Sequence, residues 1–352
     1  MSADEATQEN LPRAAAPNFS DHTFRSRSGV ELAVRVWPAE PPTSSPAPFV
    51  SWTHGGGNLA GHHFTPLAWM NSGFRQRGYH LVSHNYRLSP QARIDEQLDD
   101  CVEAIEWCRE NLPAILGADR VDVDRYVVCG ESAGGIMSTL LGHRLSPPPR
   151  AIIDVYGVVD FLGHGVGVST PKSSETADPP EWTGEFSQDQ LEAYLDDRDP
   201  KNILTDALFW TEKDILSEAA LSERIRADFK YTERVRLQAE LHIFRSTRLP
   251  GTGLLRAAFH QEKFGSPEEL REFVASLCSL RLLEGKTSYP PTAIIHGTAD
   301  SSVPLEQSQA FARKLREMGV PVIESYEPGG EHVFDDKYTV SMKSVPLTHP
   351  HH

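Results

Sequence analysis

Residues 125–143 constrain the fold more tightly than any other stretch of this chain. Arg125-Tyr126-Val127-Val128-Cys129-Gly130 is an apolar run of strand length, and Gly134 to His143 reads as a helix. Between them stands Gly130-Glu131-Ser132-Ala133-Gly134, extended by Gly135. A strand that turns into a helix within so few residues brings two backbones together. Small residues two places before and two places after the serine leave room for that approach, and the serine itself is expected in a strained backbone conformation. An ordinary helix N-cap would explain Ser132 but not the glycines on both sides of it.

The rest of the chain supplies a matching framework. Gly29 to Trp37 alternates like a half-exposed strand, and the proline-rich stretch from Pro38 to Pro48 reads as a surface loop. Phe49 to Trp52 is a short strand leading into His54-Gly55-Gly56-Gly57, and Tyr79 to Tyr86 is another. Ile94 to Glu110, with Leu98, Val102, Ile105 and Trp107 near the helical period, predicts a crossover helix. Arg150 to Tyr156, Pro291 to Gly297 and Val320 to Ser325 predict buried strands, the last two separated by a helix from Glu306 to Met318. The implied fold class is α/β: a mostly parallel central sheet flanked by helices. From about Phe161 to Thr287 no buried strand is evident, and helical patterns appear at Gln188–Leu195, Ile215–Thr232 and Leu270–Leu283. The expected organisation is an N-terminal arm over 1–25, either free or part of the cap, an α/β core over 26–160 and 288–348, and a mainly helical cap insertion over 161–287. Such an insertion would cover the carboxyl edge of the sheet, where open α/β sheets bind ligands.

A serine hydroxyl is a weak nucleophile near neutral pH and needs a base within hydrogen-bond reach. His332, in Gly329-Gly330-Glu331-His332, follows the last expected strand in a glycine-containing loop, and Asp300 follows the strand before it. Both fall at the sheet edge that carries Ser132. The chain order Ser, Asp, His suits an open α/β sheet rather than the chymotrypsin or subtilisin arrangement. The glycines after His54 allow the main chain to turn amides toward a developing oxyanion, so Gly56 and Gly57, with Ala133, are the expected donors. His54 is expected to brace that loop. Glu131 is expected to point into a buried polar network.

These residues resemble the hormone-sensitive-lipase-like branch of the α/β hydrolases. The likeness rests on His54-Gly55-Gly56-Gly57, Tyr86-Arg87-Leu88-Ser89-Pro90, Gly130-Glu131-Ser132-Ala133-Gly134-Gly135 and the Asp300 and His332 loops, and spans roughly Pro48 to Asp335. It implies an α/β-hydrolase fold, an oxyanion hole at the glycine run, a structural turn at Tyr86–Pro90 and a helical cap that shapes the substrate pockets. Three departures stand out. Glu131 replaces the usual Asp, the Asp300 loop reads His296-Gly297-Thr298-Ala299-Asp300-Ser301-Ser302-Val303-Pro304, and the insertion is long. The expected reaction is acyl transfer to water from a small or medium carboxylic ester, with no cofactor and no metal. Amidase, peptidase or lactonase chemistry, a dedicated secondary-metabolite hydrolase, and a ligand receptor on the same scaffold are the rivals. His62, Trp182, Phe209 and Trp210 are the pocket candidates, with Tyr194 beside them.

Composition narrows the partners. With 49 acidic against 34 basic side chains the formal charge is -15, which disfavours nucleic acid and anionic membrane surfaces. No apolar run is long enough to span a bilayer, and the polar start of the chain lacks the features of a signal peptide. Four scattered cysteines suggest no disulfide framework. The expectation is a cytoplasmic monomer or homodimer acting on a small molecule.

Overall fold

The computed structural model describes residues 18–64, 66–163, 181–207, 232–249 and 251–338. Eight strands form one sheet: β1 (Ser20–Arg25), β2 (Glu31–Trp37), β3 (Ala47–Thr53), β4 (His80–His84), β5 (Val121–Glu131), β6 (Ala151–Val155), β7 (Thr292–Gly297) and β8 (Val322–Glu327). Their order across the sheet is β1-β2-β4-β3-β5-β6-β7-β8. β1 and β2 pair antiparallel, as do β2 and β4, and every other pairing is parallel. The mostly parallel α/β architecture expected from the sequence is the one present. One correction concerns residues 20–25, assigned to the N-terminal arm rather than to the sheet. They form an edge strand whose burial alternates, and whose apolar face is only Phe24 against Trp107.

Among the described residues the helices are α1 (Ala68–Arg75), α2 (Ile94–Leu116), α3 (Ala133–Arg144), α4 (Gln188–Leu195), α5 (Glu233–Arg248), α6 (Thr252–Ala257), α7 (Pro267–Ala275), α8 (Ser279–Leu282) and α9 (Leu305–Glu317). Neighbouring strand residues point to opposite faces, so both faces can be filled at once. Phe49, Val82, Val128 and Ile294 pack with Leu98, Ile105, Met137 and Phe311 from α2, α3 and α9. Val50, Trp52, Leu81 and Cys129 pack on the other face with Met70 from α1. Burying each such side chain contributes about 1.5–3 kcal/mol. Helix α2 starts with Glu96 accepting from the Arg93 amide at 2.8 Å, and runs on through Pro113 to Leu116, beyond the expected end at Glu110.

Helices α4, α5 and α6 build a separate apolar cluster: Phe186, Leu191, Tyr194, Leu195, Leu241, Phe244 and Ala257 around Leu59. Leu59 belongs to the loop after β3, so this cluster is seated directly on the glycine run. Gln238 of α5 reinforces the contact, donating from Nε2 to the carbonyls of Leu59 at 2.6 Å and Ser89 at 2.5 Å. The expected helix at 188–195 is present, and the one at 270–283 is divided between α7 and α8. Most of the expected helix at 215–232, with Phe209 and Trp210, lies outside the described residues.

Candidate active site

The turn from β5 into α3 is as tight as its sequence demands. Ser132 has φ 53° and ψ -116°, and its amide donates to the Val155 carbonyl at 2.9 Å. A non-glycine residue at positive φ stores strain, which recurs at functional sites. The flanking glycines are required by contact. A Cβ on Gly134 would overlap the Thr53 carbonyl oxygen and lie 2.8 Å from that of His54. A Cβ on Gly130 would overlap the Gly134 carbonyl.

Three side chains from three strand ends meet here. His332 Nε2 lies 3.0 Å from Ser132 Oγ, and His332 Nδ1 lies 2.7 Å from Asp300 Oδ2. Asp300 also accepts at Oδ1 from the amides of Ser302 and Val303, each at 2.8 Å. His296 approaches its Oδ2 at 3.3 Å, a contact that sequence reasoning missed even though His296 heads the same loop. Burial alone would raise the Asp300 carboxyl. Hydrogen bonds from His296 and His332, with the Val303 amide, outweigh it and hold the group well below the usual carboxylate range. Tyr156 lies against the His332 ring at 4.8 Å between centroids, and its hydroxyl donates to Asp335 at 2.6 Å.

The glycine run borders the serine, where a Cβ on Gly55 would be 3.3 Å from Ser132 Cβ. Among the described residues, the amides of Gly56, Gly57 and Ala133 donate to no protein acceptor. Gly56 and Gly57 have φ of 112° and 56°, conformations that favour glycine. Glu131 points into the buried network expected of it: Oε1 accepts from the Gly55 amide at 2.9 Å and Oε2 from the Trp52 indole. Burial pushes its pKa up to about 8 against the pull of those two donors. His54 accompanies the loop, stacked on Tyr86 at 4.3 Å, with Nδ1 2.8 Å from the Gly55 carbonyl oxygen, and burial lowers its pKa to about 3.

The pocket candidates fare unevenly. His62 is buried beside Phe64, and burial lowers its pKa to about 4. Trp182 donates to the Phe186 carbonyl at 2.8 Å and packs edge-on against Phe244, which makes it part of the apolar cluster above the loop. Tyr194 is buried in that cluster too. Two residues on α5 that sequence reasoning passed over approach the glycine run instead. A Cβ on Gly57 would meet Arg245 Nη2 at 2.5 Å and His242 Cε1 at 3.2 Å.

No helix among the described residues is long and apolar enough to cross a membrane. A profile of the α/β hydrolase fold family matches residues 50–223, and one of the prolyl oligopeptidase family matches residues 254–344. The non-reducing polyketide synthase Preu6 of Preussia isomera is 27% identical over 327 residues, which is 91% of this chain and 14% of that protein. The chain therefore spans a small part of the length of that relative. Ethyl acetate hydrolase of Pseudomonas putida is 32% identical over 153 residues, 40% of this chain and 45% of that one. Among solved structures, an esterase of Pyrobaculum calidifontis is similar with a TM-score of 0.52 at 18% identity, covering 90% of this chain and 78% of the other, a likeness of fold. With the sheet order, the strand-to-helix turn and the matched profile in agreement, the chain has the α/β-hydrolase fold.

Proposed function

We propose that this chain is a serine hydrolase that cleaves small to medium carboxylic esters through an acyl-enzyme intermediate. The observation that carries the reading is the continuous line from Ser132 Oγ through His332 to Asp300, with spacings of 3.0 Å and 2.7 Å. Ser132 Oγ attacks the ester carbonyl while its proton passes to His332 Nε2. Asp300 fixes the imidazole tautomer and offsets the charge that forms. The amides of Gly56, Gly57 and Ala133 receive the oxyanion; one such donor is worth roughly 3 kcal/mol to the transition state. The intermediate collapses as His332 returns the proton to the leaving alkoxide. Water then gives a proton to His332 as it attacks the acyl carbon, and His332 passes that proton to Ser132 Oγ as the second intermediate collapses and the acid leaves.

In this reading residues 161–287 form the cap, and the α4–α6 cluster seated on Leu59 supports a confined pocket. Phe209 and Trp210 remain pocket candidates. The likeness to Preu6 over nine-tenths of the chain favours a second reading, an acyl substrate of polyketide type handled by the same residues. Four buried, free cysteines among the described residues support a reducing, cytoplasmic setting, and a monomer or homodimer is the expected assembly, to be read from a chromatographic mass.

The test is a series of p-nitrophenyl esters from acetyl to palmitoyl, run beside Ser132→Ala. Turnover that peaks at short chains and vanishes in the variant supports the proposal. A folded Ser132→Ala protein with undiminished hydrolysis refutes it. Fluorophosphonate labelling at Ser132 without turnover of simple esters would favour the polyketide-type reading.

A further inference from the structure

A formal charge of -15 gives this protein carboxylates in excess, and its buried guanidiniums find them. Arg35 pairs with Asp21 at 2.5 Å, Arg75 with Glu40 at 2.7 Å and Arg87 with Asp100 at 2.7 Å. Arg245 does not. It is half-buried, its Nε is sealed from solvent without a hydrogen-bond partner, and no carboxylate offsets its charge among the described residues. Burial lowers its pKa only to about 10, so it stays cationic near neutral pH.

The position of this charge is specified by the fold. Gln238, His242 and Arg245 stand four and then three residues apart, which places them on one face of α5. Gln238 fastens that face to the carbonyls of Leu59 and Ser89. Two turns further on, Arg245 Nη2 lies so close to Gly57 that a Cβ there would contact it. Gly57 is one residue from Gly56 and two from Gly55, whose own missing Cβ would touch Ser132. A planar guanidinium without a hydrogen-bond partner among the described residues is thus held beside the glycine run. Retaining a part-buried cation that no carboxylate among the described residues offsets is costly unless something else supplies the counter-charge. A guanidinium fork matches a carboxylate in two parallel hydrogen bonds.

We propose that Arg245 is a specificity-determining residue that receives a carboxylate carried by the substrate a few bonds from its scissile carbonyl. The preferred esters are then anionic ones, such as half-esters of dicarboxylic acids. This deepens the serine-hydrolase reading and rests on it for the kinetic part of the test.

The test compares p-nitrophenyl hydrogen glutarate with p-nitrophenyl pentanoate, and 4-carboxyphenyl butyrate with phenyl butyrate, in the wild-type chain, Arg245→Gln and Arg245→Lys. In at least one pair the wild type should favour the anionic ester. The kcat/KM ratio of anionic to neutral ester should fall by about 100-fold in Arg245→Gln. Arg245→Lys, which keeps the charge without the fork, should retain part of that ratio. A wild type indifferent to the anion in both pairs, or an Arg245→Gln ratio equal to that of the wild type, overturns the proposal. Calorimetric binding of monomethyl glutarate to Ser132→Ala protein, with and without Arg245→Gln, separates the two readings because it needs no turnover. Binding lost with Arg245 supports the anion site even if no ester is hydrolysed. Binding indifferent to Arg245 refutes the site even if esters are cleaved.

Discussion

Replacing Glu131 by Gln tests the link between the strand-to-helix turn at Ser132 and the glycine run with a change of one atom. Each Glu131 oxygen accepts from one donor, the Gly55 amide on one side and the Trp52 indole on the other. A carboxylate or a neutral carboxyl can offer a lone pair in both directions, but the NH2 of Gln cannot accept at all. One of the two buried donors must therefore lose its partner and face another donor. An unsatisfied buried donor costs about 1–3 kcal/mol, so we expect Glu131→Gln to lose about 2 kcal/mol of stability. If the Gly55 amide is the one left unpaired, the loop carrying Gly56 and Gly57 shifts and kcat falls as well. A double-mutant cycle isolates the cause. In a Trp52→Phe background the conflicting donor is gone, the Gln oxygen can turn to Gly55, and the further cost should drop below about 1 kcal/mol. Urea denaturation followed by far-UV circular dichroism reads both numbers without relying on the indole that is removed. A Glu131→Gln cost equal in the two backgrounds would refute the reasoning.

Asp300→Asn should leave the chain folded but slow ester turnover by roughly 10³–10⁴-fold, because the Asn amide no longer enforces the His332 tautomer; steady-state kinetics on p-nitrophenyl butyrate reads the loss. The depressed Asp300 carboxyl also makes stability depend on acid. Its contribution is complete above the ordinary carboxylate value of about 3.9 and is lost as pH falls toward the lower folded value, so the wild-type advantage in urea over Asp300→Asn should shrink below about pH 4. Gly134→Ala should abolish turnover and lower the melting temperature, since its Cβ would overlap the Thr53 carbonyl; a fully active, equally stable variant would contradict the packing described at that turn.

The parts of the fold most legible in the sequence were those where periodicity and backbone demands coincide. The strand ending at Gly130, the helix after it and the loops bearing Asp300 and His332 combine apolar runs with glycines that only a close approach explains. β1 was hidden because its inward face is little more than Phe24, with His22 and Ser20 in the other inward places. α1 is short and its N-cap residue, Leu67, offers no side-chain cap, so nothing marked its start. α5 was missed for a more instructive reason. Its buried positions include Gln238 and Glu240, polar residues that erase the apolar stripe by which a helix is recognised. Glu240 accepts from the amides of Glu185 and Phe186, at 2.7 Å and 3.1 Å, and the Gln238 amide nitrogen donates to two carbonyls. Only tertiary partners explain such residues, and a linear pattern does not reveal them. Arg245 and His242 escaped notice on the same helix, since a basic residue in a polar stretch reads as solvated surface.

The attachment of Gln238 to Leu59 and Ser89 has a bearing on how relatives of this protein could exchange parts. One amide nitrogen ties α5 to the loop that carries Gly56 and Gly57, so the two form a mechanical unit even though more than a hundred residues of chain separate them. A graft that replaced residues 161–287 and left the loop untouched would bring a foreign helix to carbonyls shaped for this one. Recombination that preserves function should therefore carry residues 54–61 together with α5, or keep a glutamine at the matching turn of the incoming helix.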